Sequence, residues 1–455
     1  MKPCVQKTVL ENGIRVLSQR MDGARSVSVG VLVDVGSKDE GPSERGYAHL
    51  LEHMLFQGTT ERDSRTIAEM MEIGGGAIGA FTARDYTVYH ATVLDDYLPF
   101  ALEVLGDMLG NSILPADALQ RQQSVILNEI ASRDDALETA NDRLKSTLWP
   151  DHPLGYPTVG VKDSIQQVTR ERLAQFMQQH YTSDNLIMAA AGNVEHDHLA
   201  AQAQDCLWQM RRGSQRSVLA APESHLGTVH IENRDLPQVT FALGWPAPAY
   251  TSLDRYAWHV FSALLGGGTT SRLYRRLRED LGLVYHAAAQ YHAYGTAGAL
   301  VVEGATLPQT LVSTLANILI EVFRLSEDPI TADEHHRTVQ SLVSQHLISG
   351  DSAYVRMSRL AMQELYFERA LCSDEVVAGL RAQPVESVRQ IAQSICMLGL
   401  PAITLVGPVS TPILQATYDM LVDFGETPTI PVTSNGHSVP LPAQLSANNE
   451  HVIRA

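Results

Sequence analysis

Gly46-Tyr47-Ala48-His49-Leu50-Leu51-Glu52-His53-Met54-Leu55-Phe56-Gln57-Gly58-Thr59 is the stretch on which the reading of this chain turns. Residues four apart share one face of a helix, so His49 and His53 offer two imidazoles to one metal ion, with Glu52 beside them. Pro42-Ser43-Glu44 supplies helix-start chemistry and Gly58 is placed to stop the helix, while Leu50, Leu51, Met54 and Leu55 are the apolar positions a buried helix needs. This is the outline of a zinc-hydrolase site. Hydrolytic zinc usually takes three protein ligands and leaves a fourth position for water, so a third ligand is expected from another element. Glu129 is the candidate, in Val125-Ile126-Leu127-Asn128-Glu129-Ile130, with 75 residues between it and His53.

Working outward, a sheet precedes the motif. Lys7 to Ser18 reads as a hairpin turning at Asn12-Gly13, and Val27, Val29, Val31, Val33 and Val35 alternate as a strand with a buried face. After the motif come a helix from about Ser64 to Ile73, ended by Gly74-Gly75-Gly76, and two strands, Ala80-Phe81-Thr82 and Thr87 to Val93. Ala116 to about Leu148 carries an unbroken helical pattern that ends at Trp149-Pro150. Thr169 opens a further helix, Leu186 to Ala191 is an apolar strand, and the stretch from Arg211 to Glu223 has the composition of a linker.

Beyond the linker the order of elements repeats. Leu55-Phe56-Gln57-Gly58-Thr59-Thr60 parallels Leu265-Gly266-Gly267-Gly268-Thr269-Thr270 at an offset of 210, and Leu186 to Val194 parallels Ile403 to Val409 at an offset of 215. Two copies of one domain are therefore expected: 1–212, a linker over 213–226, and 227–426, with a polar tail over 427–455. At the offset of 210, His49 falls on His259, but Glu52 falls on Ser262 and His53 on Ala263. The second copy keeps the scaffold and lacks the metal chemistry.

The 455 residues, 44% apolar and 19% charged, suit a soluble α+β chain of two similar domains, each an antiparallel sheet with helices on one side. A formal charge of −17 speaks against nucleic acid and anionic membranes as partners. Cys4, Cys206, Cys372 and Cys396 are scattered without metal or disulfide spacing, and there is no apolar run of ~18 residues. With no apolar leader at the N-terminus, the expected location is the cytoplasm.

The motifs resemble the pitrilysin, insulin-degrading-enzyme and mitochondrial-processing-peptidase family of inverted zinc metallopeptidases, whose signature is His-x-x-Glu-His with a glutamate at about the distance of Glu129. The resemblance runs to about residue 425 and includes Gly74 to Thr82, His152-Pro153-Leu154-Gly155, Gly192-Asn193-Val194 and Gly266-Gly267-Gly268. It implies one zinc ion on His49, His53 and Glu129, with Glu52 as the general base that activates water. It further implies that Arg278 and Tyr285, seven apart, hold the substrate backbone and stabilise the developing oxyanion. Gly79-Ala80-Phe81-Thr82 resembles the edge strand on which an extended peptide is bound by strand addition.

Two positions depart from the family pattern: Gly79 stands where most members have asparagine, and Gln122, seven before Glu129, where active members commonly have glutamate. The implied activity is endopeptidase action on short or unfolded polypeptides. Short members of the family work as dimers, so a homodimer is expected, with pairing to an inactive relative, or a non-catalytic binding role, as alternatives. His335-His336 reads as part of a solvated helix face, and His259, His286 and His292 as second-domain histidines that could line a chamber.

Overall fold

The computed structural model describes residues 5–73, 76–132, 135–213 and 219–424. The tail over 427–455, Gly74-Gly75 and residues 214–218 of the expected linker lie outside the described residues.

Two sheets organise the chain. The first contains β1 (Val5–Val9), β2 (Arg15–Arg20), β3 (Ser26–Val33), β4 (Ala77–Thr82), β5 (Thr87–Leu94) and β6 (Leu186–Gly192), in the order β1-β2-β6-β3-β5-β4. The second contains β7 (Val229–Asn233), β8 (Val239–Ala247), β9 (Val284–Ala293), β10 (Gly298–Thr306) and β11 (Ala402–Gly407), in the order β7-β11-β8-β10-β9. Apart from β1, the two share one topology. In each, the pair β2–β6 or β7–β11 is parallel and the others are antiparallel, so the sheets are mixed where purely antiparallel ones were expected. Parallel neighbours need a long crossover connection, and helices supply it. The duplicated strand ends correspond in detail: Gly192 and Gly407 both have positive φ, 125° and 139°, and each lies against the start of its neighbouring strand, at Ser26 and Gln238.

Helices Tyr47–Leu55, Leu98–Asn111, Ala116–Ser132, Arg170–His180 and His196–Leu207 belong with the first sheet, and their apolar residues share one core with Val27, Val29, Val31, Tyr89, Ala91, Met188 and Ala190. The opposite face is covered as well. Helix Ala353–Phe367 places Met357, Leu360 and Ala361 on Leu17, Leu32, Val88, Ile187, Ala189 and Ala191. A sheet buried on both faces needs apolar residues at successive positions, and Leu186-Ile187-Met188-Ala189-Ala190-Ala191 has them. The expectation of helices on one side is corrected accordingly.

The covering helices are exchanged between the sequence halves. The compact units are Met1–Ser132, Tyr156–Ala220 and Ser344–Val376 on one hand, and Arg133–Gly155, Ala221–Val343 and Val377–Ala455 on the other. Helix Ala136–Leu148 thus packs on β8 and β11, just as Ala353–Phe367 packs on β3 and β6. Each lies over a glycine of the central strand: a Cβ on Gly244 would meet Leu144 at 3.1 Å, and one on Gly30 would meet Met357 Sδ at 2.8 Å. Glu364, fully buried, accepts a hydrogen bond from Lys7 Nζ at 2.7 Å and ties helix Ala353–Phe367 to β1. The division into consecutive halves at a linker is thereby replaced by two interleaved units. For the same reason the helical pattern from Ala116 to Leu148 is two helices, the second opened by Asp135, whose carboxylate accepts from the amides of Leu137 and Glu138.

Candidate metal centre

The metal helix is Tyr47–Leu55, and its start differs from the expected one at Pro42-Ser43-Glu44. The buried carboxylate of Glu40 reaches forward and accepts from the amides of Gly46 and Ala48, both at 2.8 Å, so two otherwise unpaired donors of the first turn are satisfied by a residue outside the helix. Leu50, Leu51, Met54 and Leu55 are fully buried, as their spacing predicts, and anchor the face opposite the imidazoles. Sequence reading missed Glu40; an acid shortly before a helix start was the available signal.

His49 and His53 lie one turn apart with ring centroids 4.6 Å apart. The helix Ala116–Ser132 brings Glu129 to them, its Oε2 3.9 Å from His49 Nε2, and the ligand atoms of all three residues lie within 4.8 Å of one another. Among the described residues no other group of three histidine, cysteine or acidic side chains comes as close. Burial, and secondarily His53, lowers the His49 pKa to about 4, which keeps its lone pair free at neutral pH. His53 is oriented from the same distant helix: its Nδ1 lies 3.1 Å from Gln122 Oε1, an acceptor for the ring N–H, which leaves Nε2 as the metal-facing donor. His49 Nδ1 is buried without a hydrogen-bond partner. Two neutral imidazoles and one carboxylate converging on a point are the donor set of hydrolytic zinc, and the residues present fit that ion.

Glu52 projects from the metal helix to the end of β4. Its Oε2 accepts from Thr82 Oγ1 at 2.6 Å; burial raises its pKa, against the pull of that bond and of His53. β4 is the edge of its sheet, and Ala83 N donates to Tyr86 O where the hairpin closes. Counting back from that bonded pair, Gly79 and Phe81 exchange bonds with β5, while Ile78, Ala80 and Thr82 turn their N–H and C=O groups to the open edge. The side chains of Ile78 and Ala80 pack into the core beneath the metal helix.

Gly79 faces the other way. A Cβ there would lie 2.9 Å from His90 Nε2, so the room an asparagine would need is taken by that imidazole, itself 4.7 Å from the ring of Tyr354. Phe81, on the same face, stands edge-on to Tyr86 at 6.1 Å.

Arg278 and Tyr285 lie in the second unit and are brought together there: the guanidinium carbon sits 4.5 Å from the Tyr285 ring centroid and 5.1 Å from that of Tyr274. Arg278 stands on a π-helical segment, Tyr274–Asp280, and Tyr285 is 77% exposed. His259 keeps an exposed surface beside Tyr291, with ring centroids 5.2 Å apart. His286 and His292 are on β9, and His335 and His336 begin the helix Ala332–Ser349, where His335 Nε2 is buried.

Known proteins resemble this chain in sequence and in structure. Residues 15–162 match insulinase (peptidase family M16), and residues 167–342 match the peptidase M16 inactive domain. An uncharacterized zinc protease of Mycobacterium tuberculosis is 35% identical over 398 residues, covering 85% of this chain and 90% of the relative. The zinc protease YmxG of Bacillus subtilis is 29% identical, covering 86% and 95%. In structure, a protease from Helicobacter pylori superposes with a TM-score of 0.81 at 19% identity, covering 90% of this chain and all of that one. A peptidase M16 inactive domain from Pseudomonas fluorescens superposes with a TM-score of 0.83 at 20% identity, covering 89% and 98%. No helix among the described residues is long and apolar enough to cross a membrane. With its motif-bearing half and its motif-free half each matched in order, the chain belongs to the insulinase family, peptidase family M16.

Proposed function

We propose that this chain is a zinc metalloendopeptidase that cuts short or unfolded polypeptides. The observation that carries the reading is the convergence of His49, His53 and Glu129 to within 4.8 Å, with the Glu52 carboxylate between them and an open strand edge. The names of the zinc-protease relatives support the same chemistry.

Zinc held by His49, His53 and Glu129 would supply Lewis acidity, lowering the pKa of water and polarising a carbonyl. The remaining work belongs to the chain. An extended peptide adds to β4, where the N–H and C=O groups of Ile78 and Ala80 offer main-chain hydrogen bonds that no side chain need specify. Such recognition selects segments free of their own secondary structure. Glu52 accepts the proton of the attacking water and returns it to the leaving amine, a task suited to a carboxyl whose pKa burial raises. Arg278 is assigned to the substrate backbone and Tyr285 to the developing oxyanion; their stacking supports this by fixing the two groups as a pair. One chain carries both the metal set and this pair, which favours a homodimer over pairing with a non-catalytic relative; light scattering of the purified chain reads which.

Incubating the purified full chain with a peptide library, with and without chelator, and reading the products by mass spectrometry tests the proposal. Cleavage should vanish with chelator and return with zinc. Glu52→Gln should keep about one zinc per chain while losing roughly 10²–10⁴-fold in turnover, the usual contribution of a general base. Undiminished turnover in that variant would end the mechanism.

A further inference from the structure

The last residue of the substrate strand is already engaged. Thr82 stands on β4 with its main chain toward the open edge, yet its side chain points to the metal helix and its hydroxyl donates to Glu52 Oε2 at 2.6 Å. The neighbouring hydroxyls make other bonds. A threonine hydroxyl has one proton to give. Thr87, its cross-strand neighbour, lies 3.4 Å from Thr82 Oγ1 but 2.8 Å from Val35 O, so its proton goes to the carbonyl. Below them Tyr89 and Tyr181, both buried, bond to each other at 3.0 Å. Among the hydroxyls with described hydrogen bonds, that of Thr82 donates to the Glu52 carboxylate, and the main-chain amide of Thr82 bonds the same group.

We infer that Thr82 is a positioning residue for Glu52: its hydroxyl holds one carboxylate oxygen and leaves the other turned to the attacking water. This rests on the peptidase reading above and assigns the Thr82 side chain to the base instead of to the substrate. It also gives the strand two tasks. Ile78 and Ala80 receive the peptide two and four residues from the group that aligns the base, so ordering β4 by strand addition would order Glu52 with it.

Thr82→Val keeps the shape and the β-branching and removes only the donor. Its expected effect is a fall in kcat of roughly tenfold or more, since small misplacements of a reacting group are costly. KM and zinc content should be unchanged, and Thr82→Ser should recover most of the rate. A raised KM at constant kcat would overturn the assignment, as would a serine variant no better than the valine one. A wild-type chain that cleaves no peptide would sink the peptidase reading by itself, so a second measurement is independent of turnover. In a double-mutant cycle of Thr82→Val and Glu52→Ala, read as unfolding midpoints of the zinc-free protein, a direct bond makes the two effects less than additive. Simple additivity would overturn it.

Discussion

The helix Tyr47–Leu55 and its counterpart Arg255–Gly266 show how little separates a helix with a metal-ligand set from one without it. Both lie beside a sheet whose edge strand, β4 or β9, occupies the same place in a shared topology, and both carry a histidine at the repeat position, the half-buried His49 or the exposed His259. Desolvation lowers His49 to about 4, and His259 likewise although its ring keeps an exposed surface. In the second unit, however, Ala263 offers no ligand, and Ser262 bends back to donate to its own helix at His259 O, 3.1 Å away. At the repeat offset Glu129 falls on Val339, an apolar buried residue. Packing tolerates either set of side chains; only one set can hold a cation.

The largest test of that contrast is His53→Ala against His259→Gln. The first should drop zinc from about one per chain to a trace, because a two-ligand site leaves hydrolytic zinc incompletely held. The second should leave metal content where it was, by elemental analysis of the dialysed proteins. Zinc lost equally from both would break the comparison.

A smaller effect sharpens it. Gln122 stands outside the three-residue ligand group and meets it at His53, whose Nδ1 lies 3.1 Å from its Oε1. Gln122→Ala should weaken zinc affinity roughly 10- to 100-fold, the usual cost of losing an outer partner of a ligand, with the fold intact. Gln122→Glu should hold zinc at least as well, since a carboxylate accepts the same N–H; competition against a chelating dye measures both.

The smallest concerns His259, which no metal claims. Unfolded, its imidazole takes a proton below about 6.5, whereas desolvation against its packed neighbours, and secondarily Arg255, delays this in the folded state to about 4 even though part of the ring is exposed. The unfolded chain therefore binds more protons between these values, and stability falls as pH drops from 6.5 toward 4 while being fully present above 6.5. His259→Gln should flatten that slope in denaturant titrations at pH 5 and 7; an unchanged slope would place the histidine in water.

Much of the site was legible before any coordinates. Spacing within one helix fixes side-chain direction, so His49, Glu52 and His53 follow from the chain itself. Glu129 was named from its distance along the sequence, which carries no geometry; the structure brings its carboxylate 3.9 Å from His49. The hydrogen bonds of Glu40 to the helix start and of Thr82 to Glu52 are not legible in the sequence. Their hydrogen bonds span six to thirty residues, and no periodicity marks which acid caps a helix or which hydroxyl meets a base. Gly79 looked like a missing amide until His90, eleven residues on in sequence but opposite in register, was seen to fill the space.

By itself the sequence determined the repeat, the strands and the metal helix, because these depend on periods of two and 3.6 residues that any local window displays. Tertiary structure alone decided that Ala136–Leu148 and Ala353–Phe367 exchange units, that both faces of the first sheet are covered, and that the edge strand ends on the base. Those outcomes depend on which distant apolar surfaces fit over one another, and a helix carries the same stripe whichever sheet it covers.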